Sequence, residues 1–391
     1  NNYYFQDLSN YYFSWEILKN GESIKSGTIK NINIQPQNSK SVLIPVNSVQ
    51  TDQNSEYLLN IACHLKNETK WAPENHEIAF EQFILQEFKN KICEKSIKNE
   101  NRLFVEEKDD YVNIIGSNFS LIFSKTKGVI TSIMLNKKEI IKQGPEINLW
   151  RAPTDNDKGG WNNSFYLRWR EAGIDSINKE VKSIQVNKSE NEVEVVVNEE
   201  LIAKAGKYEC STTYKIMGNG LISVENNINT RDSFPPLPRI GNLLKLSTDL
   251  INTEWYGRGP HENYPDRKFS AKIGLYNKKV NEHYVPYIKP QEYGNKTDTR
   301  WLKIISDDEY GIKLIFPEPL NFSIHEYSLE NLSNANHTID LKKADYLSLY
   351  IDFKQAGLGG DDSWSPRTHR EFQIKENEFQ FTYYIKLIEN N

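Results

Sequence analysis

EVEVVVN (192–198), YECSTTYKIM (208–217) and LISVENNIN (221–229) follow one another with apolar and polar residues alternating, the period of a strand that turns one face to a core. The pattern extends outward in both directions. Before it stand YVNIIG (111–116), FSLIFS (119–124), a turn at KTKG (125–128), VITSIML (129–135) and KEII (138–141). After it come LKLSTDL (244–250), WLKIIS (301–306), GIKLIFP (311–317), YLSLYIDF (346–353) and FQFTYYIKL (379–387). Together they predict a large antiparallel β-structure over residues 111–391. One helix is expected inside it, around SFYLRWREAG, where Phe165, Leu167 and Trp169 leave the period ambiguous and Gly173 offers a stop.

Residues 1–88 read as a separate set of short strands. In YFSWEILKNGE (12–22), Phe13, Trp15 and Ile17 share a face and Asn20-Gly21 signals a hairpin turn. SGTIKNINI, SVLIPV, EYLLNIACHL and HEIAFEQFIL follow at turn-punctuated intervals, and the set suggests an immunoglobulin-like β-sandwich. It lacks a Cys…Trp…Cys pattern, so an antibody-type domain is not expected. Between the two regions, residues 89–110 turn to Lys, Glu and Asn with few apolar anchors and read as a connector.

The 391 residues, 38% hydrophobic and 26% charged, have a globular balance, and the length allows two domains. Lys+Arg 48 against Asp+Glu 53 gives a net charge of -5, which argues against nucleic acid as a partner. No apolar run approaches the roughly 20 residues that span a bilayer, so no membrane partner is expected and the chain reads as soluble. Cys63, Cys93 and Cys210 are far apart and without CxxC spacing, which points to buried small hydrophobes rather than a disulfide framework or a zinc site.

Three stretches are richer in Gly, Pro, Trp and carboxylates than strand connections need: LWRAPTDNDKGGW (149–161), WYGRGPHENYPDR (255–267) and GLGGDDSWSP (357–366). They read either as elaborate turns that pin long loops or as a sugar site, in which aromatic rings stack on pyranose C–H faces and polar groups pair with hydroxyls. Three carboxylate pairs could in principle supply an acid and a base: Asp155 with Asp157, Asp361 with Asp362, and Glu262 with Glu292. Adjacent Asp361 and Asp362 fit turn or salt-bridge roles better. Asp155 and Asp157, on an expected loop, fit hydrogen bonds to backbone N–H groups or to an ion. GxxxxGK[ST], HExxH and GxSxG are all missing, which removes phosphate-cradle, zincin and serine-hydrolase signatures. The histidines, His64, His76, His261, His283, His325, His337 and His369, are scattered and read as surface or satisfied core residues.

In order, the chain carries YLLNIACHLKNETKWAPENHEIAFEQF (57–83), GSNFSLIFSKTKGVITSI (116–133), LWRAPTDND (149–157), LPRIG (237–241), GRGPHENYPDR (257–267), YVPYIKPQEYGNKTDTRW (284–301) and GGDDSWSP (359–366). This set resembles the C-terminal third of the large bacterial β-galactosidases of glycoside hydrolase family 2. The resemblance covers nearly the whole chain. It implies an all-β protein in which an immunoglobulin-like sandwich (1–88) is followed by a galactose-mutarotase-like supersandwich (111–391), the small-chain domain.

The same resemblance implies how the chain would work. In the family the two catalytic glutamates and the principal metal ligands lie on a TIM barrel that precedes these domains. The chain is therefore expected to have no catalytic residue and no cofactor of its own, and to be a C-terminal fragment or small subunit of a retaining β-galactosidase. Magnesium and sodium would belong to the barrel. The tryptophan of GGDDSWSP, here Trp364, is implied as an aromatic platform for the sugar. The segment after the DND triplet, here Asp157, Lys158, Gly159 and Gly160, is implied as a loop beside the active site, although its sequence departs from the family beyond Gly159. The implied partners are a β-galactoside, the barrel and a homo-oligomer, in a bacterial cytoplasm or periplasm. Two other readings stay open: a free-standing carbohydrate-binding or aldose-epimerase-like protein, which would need His261 or His283 beside Glu292, and a purely structural pair of domains that buttress the barrel.

Overall fold

The computed structural model describes residues 2–30, 32–46, 49–88, 101–362 and 367–389. The chain divides into Asn1–Lys91 with Lys272–Leu275, and Ile92–Ala271 with Tyr276–Asn391. Both units are built from β-strands, the class that the alternation predicts.

In the first unit, β1 (Tyr11–Lys19), β2 (Glu22–Ile29), β3 (Tyr57–Leu65) and β4 (Glu77–Gln86) form one antiparallel sheet in the order β2-β1-β3-β4. Asn20 and Gly21 join β1 to β2 with φ of 50° and 89°, the left-handed pair that a tight hairpin turn requires. Register sets Trp15 opposite Ile61 and Ile17 opposite Leu59, so alternation puts these side chains on one face. They pack there with Tyr57 and with Ile44, Val46 and Val49. Among the described residues, Ile44, Val46 and Val49, which lie outside the four strands, thus help to cover that face.

The second unit contributes β5 (Phe104–Glu107), β6 (Tyr111–Ile115), β7 (Phe119–Ser124), β8 (Val129–Leu135), β9 (Lys138–Asn148), β10 (Asn178–Lys188), β11 (Glu192–Ala203), β12 (Gly206–Met217), β13 (Leu221–Asn229) and β14 (Arg239–Leu246). Next in the chain come β15 (Asn252–Gly259), β16 (Lys272–Lys279, of which Lys272–Leu275 group with the first unit), β17 (Lys296–Ile305), β18 (Gly311–Tyr327), β19 (Lys343–Gln355) and β20 (Glu378–Ile388). They join one 16-stranded sheet whose main path runs β10-β11-β12-β13-β20-β18-β19-β14-β9-β8-β7-β6-β5. Leu121 of β7 and Val195 of β11 lie near opposite ends of this path yet bury in the same core cluster, so the sheet folds over on itself as a supersandwich. Phe104–Glu107 falls inside the expected connector but pairs with β6 as an edge strand. Residues 89–100 lie outside the described residues.

Among the described residues three short α-helices interrupt the strands: α1 (Asp155–Lys158), α2 (Phe165–Ala172) and α3 (Leu329–Asn334). In α2 the Ser164 hydroxyl accepts from Leu167 N and Gly173 closes the C-terminus. Phe165 and Trp169, one turn apart, are buried and stacked, whereas Leu167 points outward. The helical period therefore wins over the two-residue period that the sequence left open.

Neighbouring strands β14, β19 and β18 set up the site. Leu349 and Ile351 of β19, with Phe322 and Ile324 of β18, face the apolar core. The alternate residues, Ser348, Tyr350 and Asp352 opposite His325, Ser323 and Asn321 respectively, form the other face. Most of that polar face is buried too, because the chain between β15 and β17 lies over it: Tyr293 sits 4.1 Å from His325, ring to ring, and Glu292 reaches Arg239 at 3.2 Å.

Candidate functional site

Buried charge on this covered face can persist only where partners replace water. Arg239, fully buried, donates from Nε and Nη2 to the two carboxylate oxygens of Asp352 at 3.0 and 2.5 Å, and from Nη1 to Glu292. Its guanidinium also lies 4.4 Å from the ring centre of Tyr350. Burial works against its charge, and Asp352 with Glu292 more than offset that. Glu292 shows the opposite balance: burial pushes its carboxyl up to about 7 although Arg239 pulls it down. Lys296 is driven down to about 7 by burial and by Lys278, and His325 down to about 3 by burial, Arg239 and Lys296.

A second buried arginine ties the first and third of the Gly- and carboxylate-rich stretches together. Arg151 pairs with Asp157 through Nε at 3.0 Å and Nη2 at 2.7 Å, while Nη1 donates to Ala356 O at 2.8 Å and Nη2 also reaches Gly357 O at 3.3 Å. Asp157 in turn accepts from Thr154 N, and the Thr154 hydroxyl accepts from Asp157 N, a reciprocal cap that starts α1. Residues 155–158 are therefore a capped helical turn, where the sequence suggested a loop. Asn156 Nδ2 donates to Leu358 O at 2.6 Å. From the middle stretch, Asp266 accepts from the backbone N–H groups of Leu358 and Gly359 at 3.1 and 2.6 Å and from the Thr368 hydroxyl. Gly357 is needed for that approach: a Cβ there would meet Asp266 at 2.6 Å.

The YVPYIKPQEYGNKTDTRW stretch closes the frame. Gln291 exchanges hydrogen bonds with Asp155, taking its N–H and giving Nε2 to its carboxylate, both at 3.0 Å. Glu262 accepts from Gly294 N, Arg267 and the Tyr287 hydroxyl. Asn295 donates to Asn263 O and accepts from Gln355.

The carboxylate pairs considered as acid and base are thus divided among structural partners. Asp155 belongs to Gln291, Asp157 to Arg151, Glu262 to Tyr287 and Arg267, Glu292 to Arg239, and Asp361 to His369 at 2.8 Å. His283 lies against Thr253 and Lys296, and His261 against Ser270. Of the residues of the expected loop, Asp157 is buried. Lys158 is half-buried, its ammonium depressed by burial and by Lys289. Gly159 caps α1, and Gly160 has φ of 85°. Trp364 lies outside the described residues, as do Cys93 and the rest of 363–366; Cys210 is buried and Cys63 half-buried. Among the described residues no group of three or more His, Cys, Asp or Glu side chains is placed to hold a metal ion. No described helix is long and apolar enough to cross a membrane.

The long-range partners, Arg239 with Asp352 and Arg151 with the 356–357 carbonyls, were not foreseen from sequence. LPRIG marks Arg239 only through the resemblance, and no local spacing announces a partner 113 residues away.

Comparison with known proteins places these motifs. Residues 115–385 match the family model of the β-galactosidase small chain, and residues 1–86 that of β-galactosidase domain 4. A β-galactosidase of Priestia megaterium is 32% identical over 379 residues, covering 96% of this chain and 36% of that protein. Those of Pseudoalteromonas haloplanktis and Streptococcus thermophilus are 32% and 30% identical, over 97% and 98% of this chain and 37% and 36% of their own length. The chain thus spans little more than a third of the curated relatives it matches. Similar solved structures include a galactose mutarotase related enzyme from Lactobacillus acidophilus, with a TM-score of 0.39 and 10% identity over 73% of this chain and 97% of that one. A galactose mutarotase-like protein from Clostridium acetobutylicum has a TM-score of 0.40 and 11% identity over 74% and 99%. With the small-chain match covering 115–385, the chain belongs to the β-galactosidase small-chain family.

Proposed function

We propose that the chain is the non-catalytic C-terminal part of a β-galactosidase that hydrolyses terminal β-D-galactosides with retention, its two catalytic carboxylates being supplied from outside these 391 residues. One observation carries the reading. The buried Arg151, through Asp157 and the 356–357 carbonyls, and Asn156, through Leu358 O, lock the segments around 155–158 and 356–358 side by side, and half-buried Asp266 holds Leu358 and Gly359 from the other side, a stiffness that strand connections do not require but that a wall of a sugar site does. On this reading Trp364 follows directly from the pinned segment and stacks on the sugar, while Asp157, Lys158, Gly159 and Gly160 stand beside it. A TIM barrel opens its site at one face, so a neighbouring domain can add a wall there without touching the chemistry.

The test is hydrolysis of an activated aryl galactoside by the 391-residue chain and by a longer protein that joins it to a family barrel. The chain alone is expected to show no turnover. In the longer protein, Trp364→Ala should weaken galactoside binding by roughly 1 to 3 kcal/mol, the scale of an aromatic stacking contact. Turnover by the chain alone that disappears when one of its own carboxylates is changed would sink the reading, and so would an unchanged KM in the Trp364 variant.

A further inference from the structure

Arginines in the larger unit are mostly matched to carboxylates: Arg151 to Asp157, Arg239 to Asp352 and Glu292, Arg258 to Asp298. A cleft of about 640 Å³ beside α2 departs from that pattern. Arg168 of α2, Arg367, Arg370 and Lys375 line it, over an apolar floor that includes Phe165 and Pro236. Among the described residues none of these four cations forms an ion pair. The one carboxylate on the wall, Glu371, lies 3.6 Å from Nδ1 of His369, whose other ring nitrogen is 2.8 Å from Asp361.

Arg168 is the informative member. Its guanidinium lies 4.4 Å from the ring centre of Phe165, which fixes its plane, and its Nε is buried without a hydrogen-bond partner among the described residues. An exposed cation would leave that N–H to water, and a structural one would give it to a carboxylate or carbonyl. Burial disfavours the charge of Arg168, and Arg367 stands near enough to repel it further. Arg367 itself spends one N–H on Asn163 O at 2.8 Å and keeps the rest of its fork. Two guanidinium groups facing one cleft, with the Arg168 Nε–H uncommitted and no carboxylate paired to either group among the described residues, make the arrangement that binds carboxylates and phosphates with paired hydrogen bonds. The volume exceeds that of a bare anion and lies in the range of small-molecule sites.

We propose that this cleft binds an organic oxyanion, a carboxylate or phosphate carried on a sugar-sized molecule, held between Arg168 and Arg367 with Arg370 and Lys375 adding longer-range attraction. The proposal does not depend on the hydrolytic reading, because it concerns binding by this chain alone.

Calorimetric titration of the 391-residue chain with galacturonate, galactose 6-phosphate, inorganic phosphate and neutral galactose tests it. Either anionic sugar should bind about tenfold or more tightly than galactose, and whichever binds better names the oxyanion. Binding should weaken severalfold as salt is raised from roughly 20 to roughly 200 mM. Arg168→Gln and Arg367→Gln should each cost about tenfold in affinity, with Arg168→Lys between them and the wild type. Arg367 is exposed, so its variant should fold even where the Arg168 change disturbs α2, and a thermal melt checks both. Displacement of the sugar by inorganic phosphate would support the anion as the recognised group. Equal affinity for galactose, undiminished binding by Arg367→Gln, or no binding of any anion to the folded wild type would overturn the proposal.

Discussion

Arg239 and Arg168 belong to the same unit and have opposite surroundings. The first is fully buried and holds two carboxylates; the second is partly buried, beside another arginine and with no carboxylate among the described residues. A buried cation with partners is a structural part, since removing either side leaves an uncompensated charge out of water. A cation that has lost water and gained no partner contributes little to the fold and is open to a ligand. Four arginines of similar chemistry, Arg151, Arg168, Arg239 and Arg367, are thus divided by what surrounds them into two that brace the fold and two that are left available.

The largest effect should come from breaking the braced side. Arg239→Met leaves the buried Asp352 and Glu292 without their shared cation, and should destabilise the unit by about 3 to 5 kcal/mol, read as a fall in the denaturation midpoint at constant slope. A loss below about 1 kcal/mol would show that the two carboxylates are hydrated or protonated together, and would erase the contrast with Arg168.

Glu292 sharpens the comparison through pH. Its folded carboxyl titrates near 7, above its ordinary 4.5, so the folded state holds this proton more tightly than the unfolded chain. Its contribution to stability is complete at the low end of that window and is lost as pH rises through about 7. The charges around it are Arg239 on β14, Asp352 on β19, and Arg151 and Glu262 from the covering stretches, with Tyr264, Tyr293 and Tyr350 also in range. Glu292→Gln removes only the titration. The difference in unfolding free energy between wild type and variant should therefore shift by on the order of 2 to 3 kcal/mol, against the wild type, between about pH 5 and pH 7. A difference that stays flat would mean that Arg239 keeps Glu292 ionised throughout.

Much of the fold was legible because strands that bury one face alternate in sequence, as Val193, Val195 and Val197 do in β11. Asn20-Gly21 was legible for the same local reason. The two faces of β19 were harder to read. YLSLYIDF alternates like a strand with one wet side, yet Ser348, Tyr350 and Asp352 are covered by chain that lies 50 or more residues away. Edge strand β5 was hidden in a charged stretch because an edge needs only one partner and little burial; Phe104 stays 65% exposed. Helix α1 has four residues and no room for a period, and the only local signal was Thr154 followed three residues later by Asp157, a weak form of the capping box. Site residues were named by resemblance, while the long-range contacts of the two buried arginines, the Arg239 ion pair with Asp352 and the Arg151 hydrogen bond to Ala356 O, join positions 113 and 205 apart, which no local pattern encodes.

The smallest effect should come from the unbraced side, and its smallness is what makes it diagnostic. Neutralising both cations, Arg168→Gln with Arg367→Gln, removes a like-charge repulsion and breaks no ion pair among the described residues, so stability without ligand should change by less than about 0.5 kcal/mol. The sign can be anticipated. At low salt the repulsion is least screened, so the double variant should be slightly more stable than the wild type there, and the gap should close as salt screens it. Loss of the Phe165 contact works the other way, because Arg168 covers that ring, and the single Arg367→Gln variant separates the two terms. If Arg367→Gln alone cost as much as about 2 kcal/mol at any salt concentration, the cleft would be a structural element like the Arg239 centre, and the division between bracing and available arginines would fail.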